Sequence, residues 1–209
     1  MLLVLTSLLS ALEISYRIEN YPDVMEMLEE EITAMAEEGY TPLGITHGDG
    51  KAYLLYVSGI LDFEGWQLVR FESLWAMQNG MTDLIEAGMF PVGFSWTSRG
   101  YHVLAVMSRN DVSAWQLVPS GFGEAEASKA LLPYVKNGFV PAGIGGKDGR
   151  LLTLVLQTSE FSGERWNLVG YPADGNFITR KMGEMLKGGY LPWGIHYQDG
   201  KIYVSYIRL

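Results

Sequence analysis

The chain repeats itself four times, so it is expected to fold as four similar units packed on one another. Trp66-Gln-Leu-Val69, Trp115-Gln-Leu-Val118 and Trp166-Asn-Leu-Val169 recur at spacings of 49 and 51 residues, and Tyr16-Arg-Ile18 holds the matching place 50 residues before the first. Each leads into a helix-period stretch and then a signature of the form Gly–apolar–x–Pro–x–Gly–apolar. The four copies are Gly39-Tyr-Thr-Pro42-Leu-Gly44-Ile, Gly88-Met-Phe-Pro91-Val-Gly93-Phe, Gly138-Phe-Val-Pro141-Ala-Gly143-Ile and Gly189-Tyr-Leu-Pro192-Trp-Gly194-Ile.

Each piece has a physical meaning. Val24, Leu28, Ile32 and Met35 fall on one face of a helix, as do Met77, Met81, Leu84 and Ile85 in the second unit. Ala127, Leu131, Tyr134 and Val135 do the same in the third unit, and Ile178, Met182, Met185 and Leu186 in the fourth. The first glycine of each signature suits a left-handed helix end, and the proline that follows forbids the helix from continuing. Asp49-Gly50, Asp148-Gly149 and Asp199-Gly200 are type I′ turn signals, whereas the second unit has Ser98-Arg99-Gly100 and one extra residue. Outgoing strands are expected over residues 52–57, 101–107, 151–156 and 202–207.

The fold class is therefore α+β, with four tandem β-α-β-β (strand-helix-strand-strand) repeats of about 50 residues. The repeats cover residues 16–65, 66–114, 115–165 and 166–209, after an N-terminal strand and linker over 1–15, as one repeat domain. Two arrangements fit: two pseudo-dimers, or four units closed about a pseudo-fourfold axis. The order of elements resembles the strand-helix-strand-strand modules of the small-molecule-binding regulatory domains related to the gyrase-inhibitory protein. The likeness is one of element order alone.

The apolar run at the start, Met1-Leu-Leu-Val-Leu-Thr-Ser7 onward, has the hydrophobicity of a signal peptide but no basic region before it. The repeat offers a second reading: residues 2–7 precede Tyr16 much as Tyr53-Leu-Leu-Tyr-Val-Ser58 precedes Trp66, so they are expected to form an extra third strand. Absence of cysteine removes disulfides and thiolate chemistry and fits a reducing compartment. A cytoplasmic location is expected, with export through the apolar N-terminus as the alternative. No stretch is long and apolar enough for a membrane span.

The net charge of −9 speaks against nucleic acid, which needs clustered Lys and Arg. Residues 1–65 hold 2 basic and 12 acidic side chains, so the first unit carries the whole excess. Glu26, Glu29, Glu30, Glu31, Glu37 and Glu38 crowd its helix; this is a solvated face, and Glu26, Glu29, Glu30 and Glu37 are the candidates for docking a basic partner.

Residues that recur in every unit are expected to serve the fold. Trp66, Trp115 and Trp166 are accordingly expected to cover the signature glycines Gly93, Gly143 and Gly194. Function should sit where the copies disagree, which singles out Trp96, Trp193, His196 and Tyr197 for a ligand or partner, against the plainer role of covering neighbouring units. His47, His102 and His196 stand at non-equivalent positions and show no metal spacing. No H-E-x-x-H, G-x-S-x-G or Walker motif is present, and the glycines of Gly143-Ile-Gly145-Gly-Lys-Asp-Gly149 belong to the repeat rather than to a phosphate loop. No catalytic residue, metal or cofactor is expected. The leading expectation is a non-catalytic interaction or scaffold protein with a protein partner or self-association. A small-molecule-binding module with a pocket between paired repeats is the alternative, and an enzyme ranks last.

Overall fold

A computed structural model describes residues 14–59, 65–107, 112–147, 150–158 and 165–208. The first unit consists of β1 (Ser15–Pro22), α1 (Met25–Glu37), β2 (Thr41–Gly48) and β3 (Lys51–Ser58). The second has β4 (Gly65–Phe71), α2 (Leu74–Glu86), β5 (Met89–Thr97) and β6 (Gly100–Met107). The third has β7 (Val112–Ser120), α3 (Glu124–Lys136), β8 (Val140–Lys147) and β9 (Arg150–Thr158). The fourth has β10 (Arg165–Pro172), α4 (Gly175–Lys187), β11 (Leu191–Gln198) and β12 (Lys201–Arg208). Residues 2–7, expected as an extra strand, and the Asp148-Gly149 turn lie outside the described residues.

The local signals act as their chemistry requires. Gly39, Gly88, Gly138 and Gly189 take φ of 85°, 80°, 80° and 81°, the left-handed conformation that closes a helix. After three of them the next amide turns back onto the helix: Tyr40 donates to the Met35 carbonyl, Phe139 to Tyr134 and Tyr190 to Met185. Asp49 and Gly50, like Asp199 and Gly200, both have positive φ, as a type I′ turn demands. The second hairpin differs, with the Arg99 amide donating to Thr97 Oγ1 at 3.1 Å.

Within every unit the three strands are antiparallel in the order first–third–second, giving four separate three-stranded sheets. The signature proline sits on the inner edge strand, where its missing N–H interrupts the ladder. The register duly shifts between Pro42 and Gly44, Pro91 and Gly93, Pro141 and Gly143, and Pro192 and Ile195.

The four inner strands pack around an axis: β2 lies on β5, β5 on β8, β8 on β11, and β11 returns to β2. The closed pseudo-fourfold array is thus the arrangement adopted. At its waist stand the signature glycines, each against the next unit's glycine. A Cβ on Gly93 would stand 2.9 Å from Gly44 Cα, one on Gly143 3.1 Å from Gly93 Cα, one on Gly194 3.2 Å from Gly143 Cα, and one on Gly44 3.2 Å from Gly194 Cα. Four backbones meet there, and only glycine leaves them room.

The expected cover of these glycines by Trp66, Trp115 and Trp166 is corrected by this contact. The strand order places those tryptophans on the outer edge strands β4, β7 and β10, with a central strand between them and the axis. There they are half-buried beside the hydrophobic core, and Trp166 Nε1 donates to Ser205 Oγ at 2.8 Å. The helices lie outside: α3 reaches β10 of the following unit and α4 reaches β1, where the Tyr16 hydroxyl donates to the Thr179 carbonyl. Among the described residues no helix is long and apolar enough to cross a membrane.

Candidate ligand cavity on the axis

Two and three residues beyond each signature glycine, the inner strands run toward their hairpins. The residues there are Thr46-His47, Ser95-Trp96, Gly145-Gly146 and His196-Tyr197, and each unit meets the next through them. The Tyr197 amide donates to Thr46 Oγ1 at 2.8 Å, joining the fourth unit to the first. His47 Nδ1 and Ser95 Oγ are 2.9 Å apart, joining the first to the second. At the other two junctions glycine replaces the polar partner. Phe94 fills the space beside Gly145, and the His196 ring fills the space beside Gly146.

Between these residues lies a cavity of about 310 Å³, lined by His47, Ser95, Trp96, Gly146, His196, Tyr197, Gln198 and Asp199. All four units contribute to it. Three residues singled out from the sequence, Trp96, His196 and Tyr197, stand together on its wall. Trp96 is 42% exposed at the mouth. Tyr197 packs over Gly48, stacks on Tyr53 with ring centroids 5.4 Å apart, and donates its hydroxyl to the Asp49 carboxylate. It therefore also packs on the first unit.

Trp193, the fourth of that set, is corrected. It is 1% exposed and meets Phe90 of the diagonally opposite unit edge-on at 6.3 Å. Its extra volume stands at the strand bulge where the other units carry Leu43, Val92 and Ala142, so it is core. The carboxylates Glu26, Glu29, Glu30 and Glu37 all lie exposed on α1 and line no part of this cavity.

His196 is the unusual member. It is 6% exposed, with Phe122 stacked on its ring at 5.5 Å and 19°. Neither Nδ1 nor Nε2 is in regular hydrogen-bond geometry, and Gln198 acts on the ring only as a weak hydrogen-bonding neighbour. Burial pushes its pKa down to about 4, with the neighbouring Gln198 acting the other way, so the ring is neutral at pH 7. One nitrogen then carries a proton and the other a lone pair, and neither is fully satisfied.

The expectation that the histidines form no set is corrected as well. His47 and His196 share the cavity, and the His47 ring lies 4.7 Å from that of His102. Asp23 completes a group of three potential ligands whose atoms all lie within 4.8 Å of one another. Burial first, and then the nearby His102, push the His47 pKa down to about 4 against the pull of Asp23. Burial also lowers that of His102, Asp23 again opposing while Arg70 and Arg99 add to the fall. Sequence spacing could not reveal this group, because it draws on β2, β6 and the β1–α1 connection of two units. The repeat register did hold a clue: every lining residue falls at the second to fifth place after a signature glycine, and at the second to fourth of these the copies diverge.

A scan against protein-family models finds no match to this chain, and a search of curated proteins finds no significantly similar relative.

Proposed function

We propose that this chain is a non-catalytic binding module whose axial cavity holds one small, uncharged polar molecule. The observation that carries this is His196. A buried polar group without a partner costs about 1–3 kcal/mol, so a ring with both nitrogens unsatisfied has its natural complement in a ligand. Such a ligand would present an acceptor to the N–H and a donor to the lone pair, and lay an apolar surface against Trp96. The cavity, at about 310 Å³, suits a molecule at the small end of the range bound by proteins. Asp199 is the only formal charge among the described lining residues, which disfavours an anion.

The same facts speak against catalysis. Both lining imidazoles have pKa values lowered to about 4, far from the neutral range in which a general acid or base works best. An interaction role keeps one specific support of its own: Trp75, 74% exposed beside Leu74 at the start of α2, is an apolar surface of the kind that proteins bury against partners.

A thermal-shift screen of a metabolite library tests the binding reading on the intact chain, with His196→Gln and Trp96→Ala alongside. At least one compound should stabilise the parent protein and bind each variant about tenfold more weakly or worse, as expected for losing a buried hydrogen bond or an aromatic wall. Compounds that stabilise all three proteins equally, or none at all, would overturn the cavity as the site.

A further inference from the structure

Asp23, His47 and His102 are brought together by closure of the array and not by any sequence motif. Asp23 stands between β1 and α1, His47 near the end of β2, and His102 on β6 of the next unit. His47 Nε2 lies 3.3 Å from Asp23 Oδ1, with the two side chains 6% and 26% exposed. That is the ligand-to-ligand separation of a tetrahedral ion with bonds of roughly 2.0–2.1 Å, for which about 3.3 Å is expected.

The hydrogen-bond inventory of these groups is incomplete in an informative way. His47 Nδ1 is engaged with Ser95 Oγ, leaving Nε2 as the atom that faces the carboxylate. Nε2 is buried, and its contact with Asp23 falls short of regular hydrogen-bond geometry although it favours the protonated ring, while His102 Nδ1 is buried without a partner. When Nδ1 accepts from Ser95, Nε2–H faces the carboxylate; when Nδ1 donates instead, the tautomer that a metal selects, Nε2 turns a lone pair toward an anionic oxygen. Two acceptors so placed repel each other unless a cation stands between them. A ligating histidine whose other nitrogen is held by a hydrogen bond is the usual arrangement around a protein-bound metal.

We propose that Asp23, His47 and His102 form a binding site for one divalent transition-metal ion of the zinc class. Two imidazoles and one carboxylate supply three ligands and leave a fourth position for water, the borderline-soft donor set that zinc and cobalt accept and that calcium and magnesium do not favour. Separations of up to 4.8 Å would have to draw in toward about 3.3 Å when the ion binds. Arg99 donates to the Asp23 carbonyl at 3.3 Å and, with Arg70, acts on His102, so these positive charges make the site weaker than one built on thiolates. Because Ser95 holds His47 and also lines the axial cavity, the ion would fix one wall of that cavity. The metal site stands or falls independently of the small ligand proposed there.

Titration of the intact, metal-stripped chain with cobalt(II), followed by its visible absorption and by displacement with zinc, tests this. One equivalent should give the intense band of low-coordinate cobalt, and zinc should abolish it. Asp23→Asn, at a partly exposed side chain that folding tolerates, and His102→Gln should both lose the band. Ser95→Ala should weaken binding about tenfold through the freed His47 ring, and His196→Gln should bind as the parent does. No stoichiometric band in the parent would overturn the site. So would a band that survives Asp23→Asn and His102→Gln, or one lost in His196→Gln and kept in Asp23→Asn, which would place the ion in the axial cavity.

Discussion

His196 is a structural burden to the fold, and the proposed ligand would relieve it. Its pKa in the folded chain is lowered by burial to about 4, from an ordinary value of 6.5. Between these values the unfolded chain binds a proton that the folded chain refuses, so stability rises with pH across that window and is complete above it. The contribution lost as pH falls from 6.5 to 4 is on the order of 3 kcal/mol for this one group, and His47 works in the same direction. Urea denaturation at intervals across the window should show the parent weakening steeply on acidification. The slope should be clearly shallower in His196→Gln, and equal slopes would mean that the ring is not held neutral.

At the scale of elements, the inner strands are where the chain has least freedom. A Cβ on Gly93 would stand 2.9 Å from both Gly44 Cα and the Ile45 nitrogen, and backbone atoms cannot swing aside as a side-chain tip can. Gly93→Ala should therefore cost about 1–3 kcal/mol by overpacking. Gly175→Ala makes the comparison: nothing lies within 4 Å of its added methyl at the first residue of α4, so it should be neutral or stabilising. Denaturant unfolding of the two variants checks the contrast, and equal effects would contradict the close meeting of backbones.

The elements themselves were legible because each is set by local chemistry repeated four times. The left-handed Gly39 and its equivalents, the proline after it and the Asp49-Gly50 turn announce a helix end, an interrupted edge and a hairpin wherever they occur. What was hidden depends on which strand lies beside which. Nothing local says that the third strand enters between the first and second, and that insertion is what moves Trp66 away from Gly93. The divergent pairs after the glycines singled out Trp96, His196 and Tyr197, which the fold brings to one cavity. Trp193 misled because a large aromatic at a divergent position can also fill a core, here against Phe90. His47 and His102 are 55 residues apart and meet only because neighbouring units pack, so no spacing rule could join them.

Over the whole molecule, symmetry and function divide the chain between them. The glycine waist is the same in all four units because it holds the ring together, and the hairpin end differs because four unlike pairs there enclose one asymmetric cavity. A ring of identical units would place four equal groups about the axis. This one places two neutral imidazoles, a serine, an indole and a phenol around a space that no single unit could enclose. The claim that this space is the binding site is tested most directly by amide and indole NMR shifts of the isotope-labelled chain, recorded as compounds from a metabolite library are added. The account predicts that a binding compound moves the signals of His47, Ser95, Trp96, Gly146, His196 and Tyr197 together, across all four units. Shifts confined to Trp75 and its neighbours on α2, or to the glutamates of α1, would contradict it and locate the function on the outer surface instead.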